Sequence, residues 1–122
     1  VNQITISPGN LYFKNCEENE NMIVGKSNAN KDDYDILVFA SKNIKEISIP
    51  SFITQIGSYS LSMSFIQKIL IPSQITHINE HAFDYLARLH HVEFPLNSKL
   101  EIIEKYPFYC SNIESILHSI SC

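Results

Sequence analysis

The histidines are the residues of this chain best suited to hold a metal ion. His77 and His81 are four positions apart, and His90 and His91 are adjacent. Two histidines one helical turn apart can bind zinc, but no glutamate follows His77, so the His-Glu-x-x-His motif of metalloproteases is not formed. Neighbouring side chains on a strand point to opposite faces, so His90 and His91 would not converge. We therefore predict no metal site.

The three cysteines, Cys16, Cys110 and Cys122, are far apart and odd in number. Without a Cys-x-x-Cys pair they indicate neither a zinc ribbon nor a disulfide framework, and their redox state is left open. A cysteine nucleophile needs a base beside it. The pattern described below places Cys110 where a small buried residue is expected, so we predict an inert thiol.

Residues 28–33 carry oxygen-bearing side chains at alternate positions, as a calcium loop does at its start. The sixth position is not glycine, and the twelfth is Phe39 rather than glutamate, so a polar loop is the simpler interpretation. Glycine occurs only at positions 9, 25 and 57, which leaves no Gly-x-Ser-x-Gly, phosphate-loop or dinucleotide-binding motif. We predict a protein that is not an enzyme and has no cofactor.

Length and charge narrow the class of partner. The 122 residues carry a formal net charge of −4, with Lys and Arg scattered. Nucleic acids and anionic membranes require concentrated basic surfaces, so neither is an expected partner. No apolar run approaches the length of a membrane span, and no signal peptide pattern opens the chain. The chain starts and stops within a repeating pattern, which indicates a fragment of a longer protein.

The phrase Ile-x-x-Ile-x-Ile-Pro, with conservative replacements, returns about every 23 residues. Its corresponding positions are Ile44/Ile66/Leu89, Ile47/Ile69/Val92, Ile49/Ile71/Phe94 and Pro50/Pro72/Pro95. A second set of apolar positions, here called the second limb of each repeat, follows the proline. Its members are Ile53/Ile75/Leu100, Ile56/Ile78/Ile103 and Leu61/Phe83/Phe108. One repeat cannot bury its own apolar row, so stacked repeats must share a core made of these columns. Residues 79–89 are the best helix candidate, with Asn79 as N-cap.

The pattern predicts an α/β, β-rich fold, a right-handed leucine-rich-repeat solenoid of about three repeats of 22–24 residues. A parallel sheet would form one face, with short strands, turns or a short helix on the other. We expect repeats at about residues 44–65, 66–88 and 89–112, and a partial one at 113–122. Residues 1–43 would form an enlarged N-terminal repeat, with a strand at 1–7 and an antiparallel pair of strands at 22–26 and 36–40. The whole chain would be a single structural domain, and strand 36–40, a continuous apolar run, would be buried on both faces.

Alternation along each first strand predicts an exposed face opposite the buried columns. The outward residues form two columns, Glu46–Lys68–His91–Ser115 and Ser48–Leu70–Glu93–Leu117. Glu46 and Lys68 could form an ion pair on a plain solvated sheet. Alternatively, Leu70 and Leu117 could serve as apolar anchors of a protein-binding face. We predict these eight residues as the partner-binding site.

Leucine-rich repeats commonly carry an Asn or Cys that bonds to the neighbouring repeat, but here Phe52, Gln74 and Asn97 stand at those positions. We therefore expect no such ladder. The Ile-Pro-x-x-Ile-x-x-Ile phrases at residues 49–56 and 71–78, together with His-Ala-Phe at 81–83, resemble the BspA-type leucine-rich repeats of bacterial and protist surface proteins. The resemblance implies an adhesin or surface antigen at the cell surface or outside it, which binds a protein such as a host-cell or matrix protein. A structural spacer and an intracellular interaction scaffold remain alternatives.

Overall fold

The computed structural model of the protein describes residues 12–16, 22–28, 30, 32–41 and 46–104, together with the backbone of residues 115–117. Strands are the only regular elements in these residues. In chain order they are β1 (Phe13–Asn15), β2 (Met22–Gly25), β3 (Ile36–Ala40), β4 (Gln55–Ile56), β5 (Lys68–Leu70), β6 (His77–Ile78), β7 (His91–Glu93), β8 (Ile102–Ile103) and β9 (Ser115–Leu117). The predictions for residues 1–7, Ile44, Phe108, Cys110 and Cys122 lie outside the described residues.

An antiparallel hairpin begins the larger sheet, which has six strands in the order β1-β2-β3-β4-β6-β8. β1 pairs with β2 and β2 with β3, both antiparallel, so the pairing predicted for residues 22–26 and 36–40 is confirmed. The expectation that β3 is buried on both faces is wrong. Leu37 and Ala40 are buried, whereas Ile36, Val38 and Phe39 keep partial exposure.

Parallel pairing extends this sheet from the hairpin into the repeats. β3 pairs with β4, β4 with β6 and β6 with β8, all parallel. The carbonyls of Asp35, Thr54 and Thr76 accept backbone N–H groups from the following repeat at 2.9, 2.8 and 2.8 Å, respectively. The last strand of the hairpin therefore occupies the place that a second-limb strand occupies in each later repeat.

A second, smaller sheet consists of β5, β7 and β9, all parallel. Ile69 lies opposite Val92, and Val92 opposite Ile116, as the spacing predicted. The first strand expected near residues 44–50 is not found in the described part, where residues 46–50 belong to neither sheet. They precede β5, the edge strand of the smaller sheet, and the described residues supply no further strand to pair with them.

The core is a stack of aliphatic and aromatic columns between the two sheets. The side chains with no more than 8% exposure include Ile49, Ile53, Ile56, Leu61, Ile69, Ile71, Ile75, Ile78, Phe83, Val92 and Phe94. Burying each such side chain contributes about 1.5–3 kcal/mol. Ile47, Leu100 and Ile103, at the two ends of the described columns, are only partly buried against this cluster. Contact with neighbouring repeats on both sides thus decides how completely each column position is buried.

The helix predicted at residues 79–89 is wrong, because these residues form turns. In a helix the carbonyls of Ala82 and Asp84 would bond within their own segment, but here they accept the N–H groups of Leu61 and Met63 in the preceding repeat, at 3.1 and 3.0 Å. His81 also has a positive φ of 59°, which an α-helix cannot contain. Bonds between repeats have replaced the local bonds of a helix, so the described residues are β-rich without an α component.

A side chain at one of the expected ladder positions does connect two repeats. Gln74 Nε2 donates to the carbonyl of Pro50 at 3.2 Å, and Thr76 Oγ1 donates to the carbonyl of Thr54 at 3.2 Å. The prediction concerned a ladder along successive repeats, and the Gln74 bond connects one pair of them.

Candidate functional site on the exposed face of the smaller sheet

The outward face is defined here as the exposed side of the smaller sheet and residues 46–48. Glu46, Ser48, Lys68, Leu70 and Glu93 are exposed, and His91 is partly exposed. Backbone pairing places Lys68 opposite His91, His91 opposite Ser115, Leu70 opposite Glu93 and Glu93 opposite Leu117. The structure therefore brings the predicted residues of β5, β7 and β9 into adjacent rows of one sheet, and the side chains of Ser115 and Leu117 lie outside its description.

Two concavities adjoin on this face. One of about 400 Å³ is lined by Glu46, Ile47, Lys68, Ile69, Leu70, His91 and Glu93. The other, of about 590 Å³, is lined by Glu46, Gln67, Lys68 and His90. Glu46 and Lys68 belong to both, so they form the boundary between them.

Leu70 is the exposed apolar residue of this face. It is the last residue of β5, an edge strand of the smaller sheet, and its side chain is 54% exposed. Ile69 and Ile71, its chain neighbours, are 3% and 0% exposed, because alternate side chains point to opposite faces of a strand. Leu70 therefore contributes little to the core and offers an apolar contact to another molecule.

The charged side chains near Leu70 form no close ion pair with one another. His91 Nε2 lies 3.9 Å from Glu93 Oε1. The predicted ion pair between Glu46 and Lys68 is not formed within 4 Å, although both side chains line the same concavities. Exposed ion pairs contribute only about 0–1 kcal/mol, so hydration of the two charged groups outweighs their attraction. The Lys68 ammonium has no carboxylate partner in the described part of the chain.

His77 and His81 have local partners. His77 Nδ1 lies 2.8 Å from Thr76 Oγ1. His81 Nδ1 lies 2.5 Å from Asp84 Oδ2, and its Nε2 lies 3.4 Å from Glu80 Oε1. Within the described residues, no three His, Cys, Asp or Glu side chains are grouped closely enough to hold a metal ion.

The loop considered for calcium is organised by its own polar atoms. Asn28 Oδ1 accepts the N–H of Asn30 at 2.9 Å. Asp35 accepts the N–H and the hydroxyl of Ser27, at 2.8 and 2.5 Å. These carboxylate and amide oxygens serve as turn acceptors, an arrangement typical of polar loops. The described residues also contain no helix with the length and apolar character that crossing a bilayer requires.

Sequence reasoning missed a second exposed surface at the corners of the repeats. Tyr59, Met63 and Tyr85 are each more than half exposed, and each has a positive φ, as His81 does. The rings of Tyr59 and His81 stack with centroids 5.1 Å apart. The left-handed conformation favours glycine and asparagine, so Tyr, Met and His at these positions give no sequence signal for it.

A further cleft of about 570 Å³ lies beside the hairpin and was also missed. It is lined by Lys14, Asp32, Asp33, Tyr34, Asp35, Ser51, Phe52 and Thr54. Lys14 Nζ and Lys26 Nζ lie 4.5 and 5.0 Å from the centroid of the Tyr34 ring. Contacts of this type stabilise by about 0.5–1 kcal/mol at exposed sites. Both lysines therefore contact the Tyr34 ring, which would otherwise be the aromatic contact for a ligand.

Comparison with known proteins identifies the repeat. The family model for the BspA type leucine rich repeat region matches residues 6–122, in six copies. A search of curated proteins and a search of solved structures found no match. The family match spans nearly the whole chain, including the hairpin and both sheets.

Proposed function

We propose a function from the family of this chain: it belongs to the BspA-type leucine-rich repeat proteins, whose repeats are generally modules for protein interaction. The proposed function is adhesion, in which the outward face binds a protein of a host cell or of the extracellular matrix. The family is typically surface-associated, and leucine-rich repeats are generally not enzymes, so we place this chain at the cell surface as a non-enzymatic recognition module of the solenoid type. Binding to nucleic acid or insertion into a membrane is not part of the proposal.

One observation carries the proposal: the outward face exposes a leucine on its edge strand β5, with charged side chains beside it. Leu70 is 54% exposed, while Lys68, His91 and Glu93 lie beside it on the same two strands. Protein interfaces commonly combine a desolvated apolar contact with a polar rim. A pure spacer would require only a uniformly polar surface, whereas this face exposes the apolar side chain of Leu70 at the end of its edge strand.

The test is a binding measurement in which a charge replaces the apolar side chain of Leu70. Surface plasmon resonance would measure the binding of the chain to immobilised fibronectin, laminin and collagen. Leu70→Asp is expected to weaken binding at least tenfold, since truncating an interface anchor costs about 2 kcal/mol or more. The triple variant at Leu70, His91 and Glu93 should abolish it.

Leu96→Asp is the matched control. Leu96 is 90% exposed, in the turn that follows β7 and outside the outward face. It should bind as the unmodified chain does, and the Tm of both leucine variants should stay within a few degrees of it. The proposal is contradicted if the chain binds none of the three proteins, or if Leu70→Asp and Leu96→Asp bind equally well. Antibody labelling of intact cells that produce the full-length protein would test its location.

A further inference from the structure

We propose that the corner surface of the repeats binds a second copy of this chain, in a dimer with two-fold symmetry. The corner surface is defined here as the exposed side chains of residues 59–65 and 80–88, which connect the larger sheet to the smaller one in two successive repeats. It is separate from the outward face, so the inference goes beyond the proposed function. A dimer formed through it leaves Leu70 exposed for a different protein.

Large side chains occupy backbone positions on this surface that favour glycine. Four residues have a positive φ between 56° and 63°, namely Tyr59, Met63, His81 and Tyr85. A residue with a Cβ adopts this left-handed conformation at an energetic cost, which glycine would avoid. Tyr59, Met63 and Tyr85 are also 57%, 57% and 52% exposed, so packing in the core does little to offset the cost. Strained residues of this kind often belong to functional surfaces, and contact with another molecule accounts for them here.

The exposed apolar side chains of the corner surface form one patch. Tyr59 and His81 occupy equivalent positions of neighbouring repeats, and their rings stack with centroids 5.1 Å apart. Met63 and Tyr85 are likewise equivalent, and the Met63 N–H donates to the carbonyl of the residue before Tyr85 at 3.0 Å. Phe65, which is 43% exposed, extends the patch. The exposed halves of four such side chains amount to about 400 Å², an area that often marks a binding site on a single chain.

The order of the charged side chains across the corner surface is self-complementary. Residues 79–89 run from β6 in the larger sheet to β7 in the smaller one, so Glu80 lies on one side of the surface and Arg88 on the other. Both side chains are exposed. In a two-fold dimer every contact of one residue with another is made twice, and an axis parallel to the stack of repeats reverses the order across the corner. Glu80 of each copy then lies opposite Arg88 of the other, and the apolar patch between them meets its own copy.

Both charged groups keep the capacity to bind a partner. Glu80 Oε1 lies 3.4 Å from His81 Nε2, and a carboxylate can accept several further hydrogen bonds. The Arg88 guanidinium lies 5.2 Å from the centroid of the Phe65 ring and has no carboxylate within 4 Å in the described residues. Its five N–H donors can therefore bind a carboxylate of the second copy. A partner with charges of one sign would repel one of the two groups, whereas a second copy brings an opposite charge to each.

Sedimentation velocity of the unmodified chain tests the inference. Stable interfaces bury about 800 Å² on each partner, and the apolar patch supplies about half of this area, so the dimer should be weak. Between about 1 µM and 1 mM the chain is expected to change from monomer to dimer, with a Kd of about 10–100 µM.

Met63→Gly distinguishes an interface residue from a structural one. The variant loses the apolar side chain from both halves of the dimer, so dimerisation should weaken at least about tenfold. It also relieves the positive φ, so the Tm of the dilute monomer should stay the same or rise. Glu80→Arg and Arg88→Glu should each weaken the dimer, because each places like charges opposite one another twice. The double variant Glu80→Arg with Arg88→Glu restores both pairs and should restore dimerisation.

Leu70→Asp and Leu96→Asp are the controls, since both leucines are exposed outside the corner surface, and both variants should dimerise as the unmodified chain does. A chain that stays monomeric over the whole range overturns the inference. So does a dimer that Met63→Gly leaves intact or that either control disrupts, because the interface is then elsewhere. A double variant as weak as the single charge variants overturns the two-fold arrangement. None of these outcomes bears on binding through the outward face.

Discussion

Replacing Gly57 with alanine should destabilise the junction between the hairpin and the repeats. Gly57 follows β4, and its N–H donates to the carbonyl of Leu37 in β3 at 2.8 Å. A Cβ at this position would lie 2.5 Å from that carbonyl oxygen and 3.3 Å from Ile36 Cγ2. The nearest atom is backbone, so a side chain cannot rotate away to relieve the clash. The two strands must separate, and the hydrogen bond must lengthen or break.

The expected loss of unfolding free energy is about 1–5 kcal/mol. An unsatisfied buried backbone group costs about 1–3 kcal/mol, and forcing extra volume into a packed site costs about 1–3 kcal/mol more. The lower conformational entropy of alanine in the unfolded chain returns about 0.4–1 kcal/mol. Since small domains are stable by only about 5–15 kcal/mol, the loss should be easily measured.

Urea denaturation followed by far-ultraviolet circular dichroism is a suitable assay, with Tm as a second measurement. Gly57→Ala should lower Tm by roughly 10 °C and leave the urea m value unchanged, which indicates that the same surface is exposed on unfolding.

Asn79→Ala is the control. Asn79 occupies the equivalent position one repeat later, where its N–H donates to Ile56 O at 3.0 Å, and a Cβ is already present there. It should lose less than about 1 kcal/mol, as substitutions away from such clashes usually do. Equal stabilities of Gly57→Ala and the unmodified chain would refute the steric argument, and so would equal losses in the two variants.

Two further substitutions should stabilise the protein. Ser60 is 2% exposed, and its hydroxyl has no hydrogen-bond partner among the described residues. The equivalent residue of the next repeat is the fully buried Ala82, so Ser60→Ala should raise the unfolding free energy by about 1 kcal/mol. A lower unfolding free energy in urea denaturation would contradict the assignment of an unsatisfied hydroxyl. Met63 has a φ of 63° and is 57% exposed, so Met63→Gly should remove a strain of about 1–2 kcal/mol at an entropic cost of about 0.5–1 kcal/mol. A loss of more than about 1 kcal/mol would show that the methionine side chain stabilises the fold.

Residue spacing predicted the parts of the fold that depend on one side chain per repeat. Ile69 and Val92 are buried in one column, and Ile56, Ile78 and Ile103 pair in register. Such positions can be recognised in the sequence because an apolar residue recurs there at a fixed spacing, which indicates burial. The outward column residues followed from the same alternation.

The errors arose where bonds between repeats override local preference. Asn79 and the residues after it have the composition of a short helix, but the carbonyls of Ala82 and Asp84 bond to the preceding repeat instead. The six-stranded sheet was also not foreseen as one sheet. Its repeat strands have two residues each, too few for an alternating pattern, and only the ladder from β3 through β8 reveals its continuity.

The parallel ladders have a consequence for how such a protein can change in length. Beyond the junction of β3 with β4, each described strand of the repeats pairs with the equivalent strand one repeat away. Duplication or deletion of one whole repeat therefore leaves the surroundings of the others nearly unchanged. Gene recombination in units of a repeat can lengthen or shorten the outward face without redesigning the core, whereas the antiparallel hairpin cannot be copied in this way.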